Sequence, residues 1–195
     1  MITIQQVVSA SWLIFILYWF ISAWSVKRIQ QTRGWLGGNW YPILYLIGVL
    51  FMLNFKFLGK LGIPTSKLAI LLLPTTFVLN VIIVILLIAG LMIAIVARRT
   101  LAKNWSGAVA LKEDHELITT GPYQYVRHPI YTGMLLMILG TALSFATLGA
   151  CLGFFIIVAG VLLKLRQEEA LLTQHFAQDY LSYKKHTRTL IPFIW

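Results

Sequence analysis

The chain has 195 residues, of which 59% are hydrophobic and only 11% charged, with a formal net charge of +10. Soluble domains carry about 25% charged residues, so this composition argues against a soluble fold and for a polytopic membrane protein. The basic excess sits in loops between apolar runs, where it orients the chain and meets anionic headgroups; nothing resembles a nucleic-acid module.

A first span is predicted over about Val7 to Ser25, with Trp12, Trp19 and Trp24 as interface anchors or packing residues. No Lys or Arg precedes it, so it is not a convincing signal peptide, and Lys27, Arg28 and Arg33 follow it. That asymmetry predicts an N-terminus outside and a first loop in the cytoplasm, with helix-breaking Gly34, Gly37 and Gly38. A short second span covers about Trp40 to Phe57. The loop after it holds Lys56, Lys60, Gly62 and Pro64, which places positive charge on the outer side.

Leu68 to Ala97 is an uncharged run longer than the roughly 20 residues one span needs. Pro74 is expected to kink it or to divide an entry segment from the main helix. Arg98, Arg99 and Lys103 close it on the cytoplasmic side. Asn104 to Arg127 is the one long polar segment, and its Asn104-Trp105-Ser106 sequon is read as a chance match on a cytoplasmic loop. Ile130 to Cys151 and Leu152 to Leu165 form a helical hairpin joined near Ser144 to Gly149. Cys151, the single cysteine, reads as an inert thiol. Leu165, Leu172, Phe176, Tyr180 and Tyr183 then recur at helical spacing. They predict an amphipathic helix leaving the membrane, followed by an apolar end, TRTLIPFIW, that folds back onto protein or bilayer.

The fold class is therefore all-α, with about five transmembrane helices and a cytoplasmic C-terminal amphipathic helix. Residues 1–103 form the N-terminal spans and residues 104–195 the catalytic region. All basic residues except Lys56, Lys60 and Lys67 then fall on the cytoplasmic side, as do all the acids. Four spans remain the alternative count, with the second run re-entrant.

Two groups carry chemistry. Arg127-His128-Pro129-Ile130-Tyr131 stands where the polar loop enters the fourth span. Pro suits the first turn of a helix, whose free N–H groups can bind a polar ligand; the other reading is an interface turn with Arg127 snorkelling to phosphate. Glu168-Glu169 lies past the last span, with Lys164 and Arg166 at helical spacing; it can also be a salt-bridged helix start. The sequence shows no Gly-rich phosphate loop, no HExxH, no nucleophile elbow, and its four histidines lack metal-ligand spacing. Carboxylates, one histidine, basic residues and tyrosines suit a charged cofactor and an oriented group transfer.

The segment HELITTGPYQYVRHPIYTG, followed by EEALLTQHFAQDYLSYKKHTRTLIPF, resembles the isoprenylcysteine carboxyl methyltransferases. These belong to a superfamily that includes phospholipid N-methyltransferases. The resemblance implies S-adenosyl-L-methionine as cofactor, a lipidic or prenylated acceptor from the bilayer, and a cytoplasmic active site. By motif position it implies cofactor binding by His115, Glu116, Leu117, Ile118, Tyr123, His128, Pro129, Ile130, Tyr131 and Glu168. It places Lys164, Arg166 and Arg127 among the reacting groups. The isoprenylcysteine enzymes carry Arg four residues before the glutamate; here Lys164 keeps the charge without the planar fork. Phospholipid amine or thiol methylation stays open, and so does a non-catalytic scaffold or transport subunit.

Overall fold

The computed structural model describes residues 2–24, 26, 28–32, 40–53, 59–62, 65–112, 114–192 and 194. Ser25, Lys27, Arg33, Gly34, Gly37, Gly38, Lys56, Pro64 and Glu113 lie outside the described residues, so the expectations attached to them are not addressed by it.

Helix α1 (Ile4–Ala23) starts at a capping box: the Gln6 N–H donates to the Thr3 hydroxyl, and the Thr3 N–H donates to the Gln6 side chain. It is apolar around its circumference, and only Val8, Ser11 and Phe15 are buried. Strand β1 (Ile29–Thr32) and helix α2 (Tyr41–Met52) follow, with Pro42 in the first turn of α2. A single turn, α3 (Thr65–Leu68), precedes α4 (Phe77–Leu101), whose N-terminus is capped by the Thr76 hydroxyl.

Pro74 divides the long apolar run. Ile70 and Leu72 lie in an entry segment that pairs with the distant turn at Ala146–Leu148: Leu72 N donates to Ala146 O at 2.7 Å and Leu148 N to Ile70 O at 3.0 Å. Strand β2 (Ala110–Lys112) pairs antiparallel with β1 across a bulge, a ribbon the all-α expectation did not contain. Helices α5 (Pro129–Phe145) and α6 (Leu148–His186) form the predicted hairpin. Its turn corrects the expected end of the first run at Cys151. Ala146 is left-handed (φ 50°) and Thr147 caps the next helix through Ala150 N, so α5 stops at Phe145. Helix α6 is itself broken at Ala177 (φ 44°).

Among the described residues the fold is thus helical apart from the short ribbon, and three helices are long and apolar enough to cross a membrane: Ile4–Ala23, Phe77–Asn104 and Leu148–His186. α2 and α5 are apolar but only 12 and 17 residues long. Large aliphatic side chains stay exposed along α1 (Leu13, Leu17, Ile21) and α4 (Ile85, Ile88, Met92), as expected where lipid rather than water is the solvent.

Small residues let the helices approach. A Cβ on Gly133 would lie 2.5 Å from Gly90 O, and one on Gly153 would lie within reach of Gly48 O and 2.8 Å from Met52 N. α4 therefore packs on α5, and α2 on α6, at near-backbone contact. One core joins α2, α5 and α6 around Met52, Ala150 and Ile157; another joins α1, α4 and α5 around Phe15, Leu87 and Met137.

Candidate active site

The polar stretch ends on the first turn of α5. Pro129 occupies that turn, fully buried, and His128 precedes it as the N-cap residue without a capping bond from its side chain. The C-terminal segment returns to hold this entry from behind, as the apolar chain end predicted. Arg127 N donates to Arg188 O at 2.7 Å, His128 N to Thr189 O at 3.1 Å, and the Thr132 hydroxyl to Leu190 O at 2.7 Å.

α6 brings its acids against this turn. The Tyr131 hydroxyl donates to Glu168 Oε1 at 2.6 Å. Buried His128 lies between the two glutamates, with Nδ1 3.7 Å from Glu168 Oε2 and Nε2 3.4 Å from Glu169 Oε1. Those separations are charge contacts rather than good hydrogen bonds. Glu169 also receives Arg127 Nε at 2.7 Å and Lys184 Nζ at 2.8 Å. Arg127 further donates to Thr187 O (2.7 Å) and to the Thr189 hydroxyl (2.9 Å). All three guanidinium nitrogens are therefore engaged inside the protein, and Arg127 ties the loop, α6 and the C-terminal segment together.

Lys164 is buried one turn before Glu168. It donates to Gly107 O at 2.7 Å and lies 3.9 Å from Glu168 Oε1. Its ammonium faces the rings of Tyr41 and Tyr131, each at 5.4 Å. Tyr123 is buried against Ala97, Ile118 and Ile130, and its carbonyl accepts from the Tyr183 hydroxyl at 2.6 Å. Burial pushes the Tyr123 phenol well above its ordinary pKa, so it stays protonated.

These groups surround a cavity of about 450 Å³. His115, Tyr123, Arg127, His128, Ile130, Tyr131, Lys164 and Glu168 all line it. Five other expected residues do not. Glu116 and Arg166 are exposed, Leu117 is half-buried, Ile118 packs behind Tyr123, and Pro129 is enclosed in the α5 entry. The Glu116 N–H makes a long contact, 3.5 Å, to the Asn104 side chain.

Several residues on the site were not singled out for it. Glu169 was noticed only as half of an acidic pair. Trp105, seen in the sequon, forms a wall: Arg98 lies 4.6 Å over its ring, and Trp19 meets it edge-on. Buried Arg98 is fastened by bonds to Ala102 O (2.7 Å) and Ser22 O (2.6 Å). Phe15, Trp19 and Tyr45 reach the cavity from α1 and α2, and nothing in their spacing signalled it.

The volume lies within the range of about 300–1,000 Å³ usual for small-molecule and cofactor sites. The Glu168 carboxylate and the aromatic rings of Trp19, Trp105, Tyr123 and Tyr131 in its lining suit a cationic sulfonium. The donor set present therefore fits a sulfonium methyl donor.

The comparisons with known proteins agree with the motif. The family model described as the Isoprenylcysteine carboxyl methyltransferase (ICMT) family matches residues 80–174. Over that site-bearing segment the chain is similar to this family. A protein-S-isoprenylcysteine O-methyltransferase of Saccharomyces cerevisiae is 32% identical over 113 residues, 56% of this chain and 47% of that relative. One of Schizosaccharomyces pombe is 35% identical over 95 residues, 47% of this chain and 40% of the relative. Form B of Arabidopsis thaliana is 31% identical over 84 residues, 43% of each chain. The chain thus spans less than half the length of these ICMT relatives. Matched residues 80–174 include most of α4, the polar stretch, α5 and both glutamates, whereas Phe15, Trp19 and Tyr45 lie outside.

Proposed function

We propose that this chain is an S-adenosyl-L-methionine-dependent membrane methyltransferase that esterifies the α-carboxylate of an isoprenylcysteine-like lipidic acceptor. The observation that carries the reading is a single cavity in which Tyr123, His128 and Tyr131 from the polar stretch meet Lys164 and Glu168 from α6. The ICMT relatives support the reaction class, since they are named as isoprenylcysteine O-methyltransferases.

When bound, S-adenosyl-L-methionine supplies an electrophilic methyl on a sulfonium. Glu168, oriented by Tyr131, holds positive charge beside the cavity, and Tyr123, Tyr131 and Trp105 line it with aromatic rings. His115 and His128 complete the donor end of the cavity, with Ile130 as an apolar wall. Glu116, Leu117, Ile118 and Pro129 support this end by holding the loop and the α5 entry. Arg127 positions the loop rather than meeting the substrate, and exposed Arg166 is offered as a headgroup or solvent contact.

An α-carboxylate, with pKa roughly 3.3–3.7, is already ionised near neutral pH. No general base is then needed. Lys164 neutralises the carboxylate and aims it, and the apolar walls exclude water, so the chain contributes alignment and desolvation.

In this reading residues 1–103 frame the site and residues 104–195 carry most of it. All five longer helices cross the bilayer, with α2 and α5 relying on their neighbours to offset their short length. The N-terminus lies outside, the cavity opens near the cytoplasmic surface, and the charged half of α6 leaves the membrane there.

The test is methyl transfer from methyl-labelled donor in membranes containing this protein and a farnesylated cysteine analogue, followed by base treatment. Label released as volatile methanol means an ester. Base-stable label means amine or thiol methylation, and absent incorporation together with absent donor binding means a scaffold.

A further inference from the structure

Among the described residues, five buried side-chain polar atoms have no hydrogen-bond partner: Tyr45 Oη, Arg98 Nε, His128 Nε2, Gln167 Oε1 and Tyr180 Oη. Of their residues, only Tyr45 and His128 line the cavity. His128 Nε2 has Glu169 beside it; among the described residues no acceptor lies within hydrogen-bond distance of the Tyr45 hydroxyl. A buried hydroxyl left unpaired is destabilising and uncommon in native proteins, and one on a cavity wall is open to a bound group.

Tyr45 is also held in place. A Cβ on Gly160 would lie 2.8 Å from Tyr45 Cε1 and 3.0 Å from Cδ1, so the ring takes the space that any side chain at Gly160 would need. The Tyr41 ring lies 5.9 Å away, and the same ring faces Lys164 Nζ. Gly160 precedes Lys164 by about one helical turn, roughly 6 Å, on the apolar side of it. The hydroxyl is thus carried by a ring docked against α6 at Gly160, and Tyr45 lines the cavity together with Lys164 and Glu168.

We infer that the Tyr45 hydroxyl is a specificity-determining contact, donating a hydrogen bond to the acceptor's carboxylate beside Lys164. The inference rests on the carboxyl-methylation reading above. A lipidic acceptor keeps its chain toward the apolar half of α6, so its headgroup meets the Gly160–Lys164 face where Tyr45 is docked. Other groups of that floor are committed: Tyr131 to Glu168, and Arg127 to Glu169, Thr187 and Thr189. Tyr45 lies outside the segment matched to the ICMT family, so α2 adds an acceptor contact to a donor site built by α5 and α6.

The experiment uses the full chain in lipid nanodiscs and compares wild type, Tyr45→Phe and Gly160→Ala. Donor binding is read with labelled S-adenosyl-L-methionine, and methyl-ester formation with a farnesylated cysteine analogue. Tyr45→Phe keeps the ring and is expected to lower kcat/KM for the acceptor about 10-fold or more, with donor affinity within about twofold of wild type. That range corresponds to one lost hydrogen bond to a charged group. Gly160→Ala displaces the same ring and should give a similar loss. Wild-type kcat/KM in Tyr45→Phe, alongside ester formation by the wild type, overturns the role of Tyr45 alone. Equal loss of donor binding and turnover in Tyr45→Phe also overturns it, by showing a general disturbance of the cavity. A wild type that binds donor but forms no ester overturns the carboxyl-methylation reading itself, and the Tyr45 contact with it.

Discussion

Tyr131 donates its hydroxyl to Glu168 Oε1 across 2.6 Å, joining the first turn of α5 to α6 at the rim of the cavity. Hydrogen bonds to charged groups contribute about 1.5–3 kcal/mol. Tyr131→Phe should therefore weaken donor binding by about 10- to 100-fold, since Glu168 loses its orienting partner. Glu168→Ala should weaken it at least as much while the protein remains inserted. Equilibrium binding of labelled donor decides both, and unchanged affinity in Glu168→Ala would remove that residue from the site.

Glu169 is a structural hub rather than a second ligand group. It neutralises Arg127, whose side chain is 8% exposed, and it contacts His128 and Lys184. Glu169→Ala strands the buried guanidinium, and breaking such a pair costs about 3–5 kcal/mol. Lys184→Ala removes a cation that is 35% exposed and should cost under about 1 kcal/mol. Thermal unfolding in detergent should separate the two variants clearly; equal midpoints would contradict the hub.

Lys164 is the buried cation that still faces the cavity with donors beyond its bond to Gly107. Lys164→Met keeps the apolar stem and removes the charge. Loss of a single preorganised donor to a reacting oxygen slows turnover roughly 100- to 1,000-fold. Donor affinity should hold or rise slightly, because the cation that shares Glu168 with the sulfonium, 3.9 Å from its carboxylate, has gone. Parallel measurements of kcat and donor binding check the sign; a matched loss in both would place Lys164 at the donor instead.

Gly90 and Gly133 meet backbone to backbone, and a methyl at Gly133 would lie 2.5 Å from Gly90 O and 2.7 Å from Ala94 N. Gly133→Ala must push α4 and α5 apart. Overpacking of this kind costs about 1–3 kcal/mol. Because Gly133 follows Tyr131 within one turn of α5, donor affinity should fall along with the melting midpoint. A variant that melts lower yet binds donor normally would show that the α5 entry is held by the C-terminal return alone.

The three long apolar helices were legible because lipid demands long uncharged runs, and the start of α4 was legible because Pro74 cannot continue a helix. The Arg127–Tyr131 turn was visible for a related reason: Pro129 at a helix start and a dense polar group beside an apolar run are local signals. The β1–β2 ribbon was not legible, since short strand pairing depends on which distant loop is nearby.

By itself the sequence determined the solvent of this protein, its helical class and the place of the polar stretch at a helix start, all of which rest on composition and near-neighbour spacing. Tertiary structure decided which charges face the cavity. Arg127 and Lys164 both line the cavity and are equally basic on paper, yet all three guanidinium nitrogens of Arg127 are engaged by Glu169 and the C-terminal segment, while Lys164 stands between two tyrosine rings. Phe15, Trp19 and Tyr45 entered the wall only through helix packing, since the glycines of α2, α4, α5 and α6 set how closely the helices approach. Partner identity and burial are set by contacts far apart in the chain, and no local pattern encodes them.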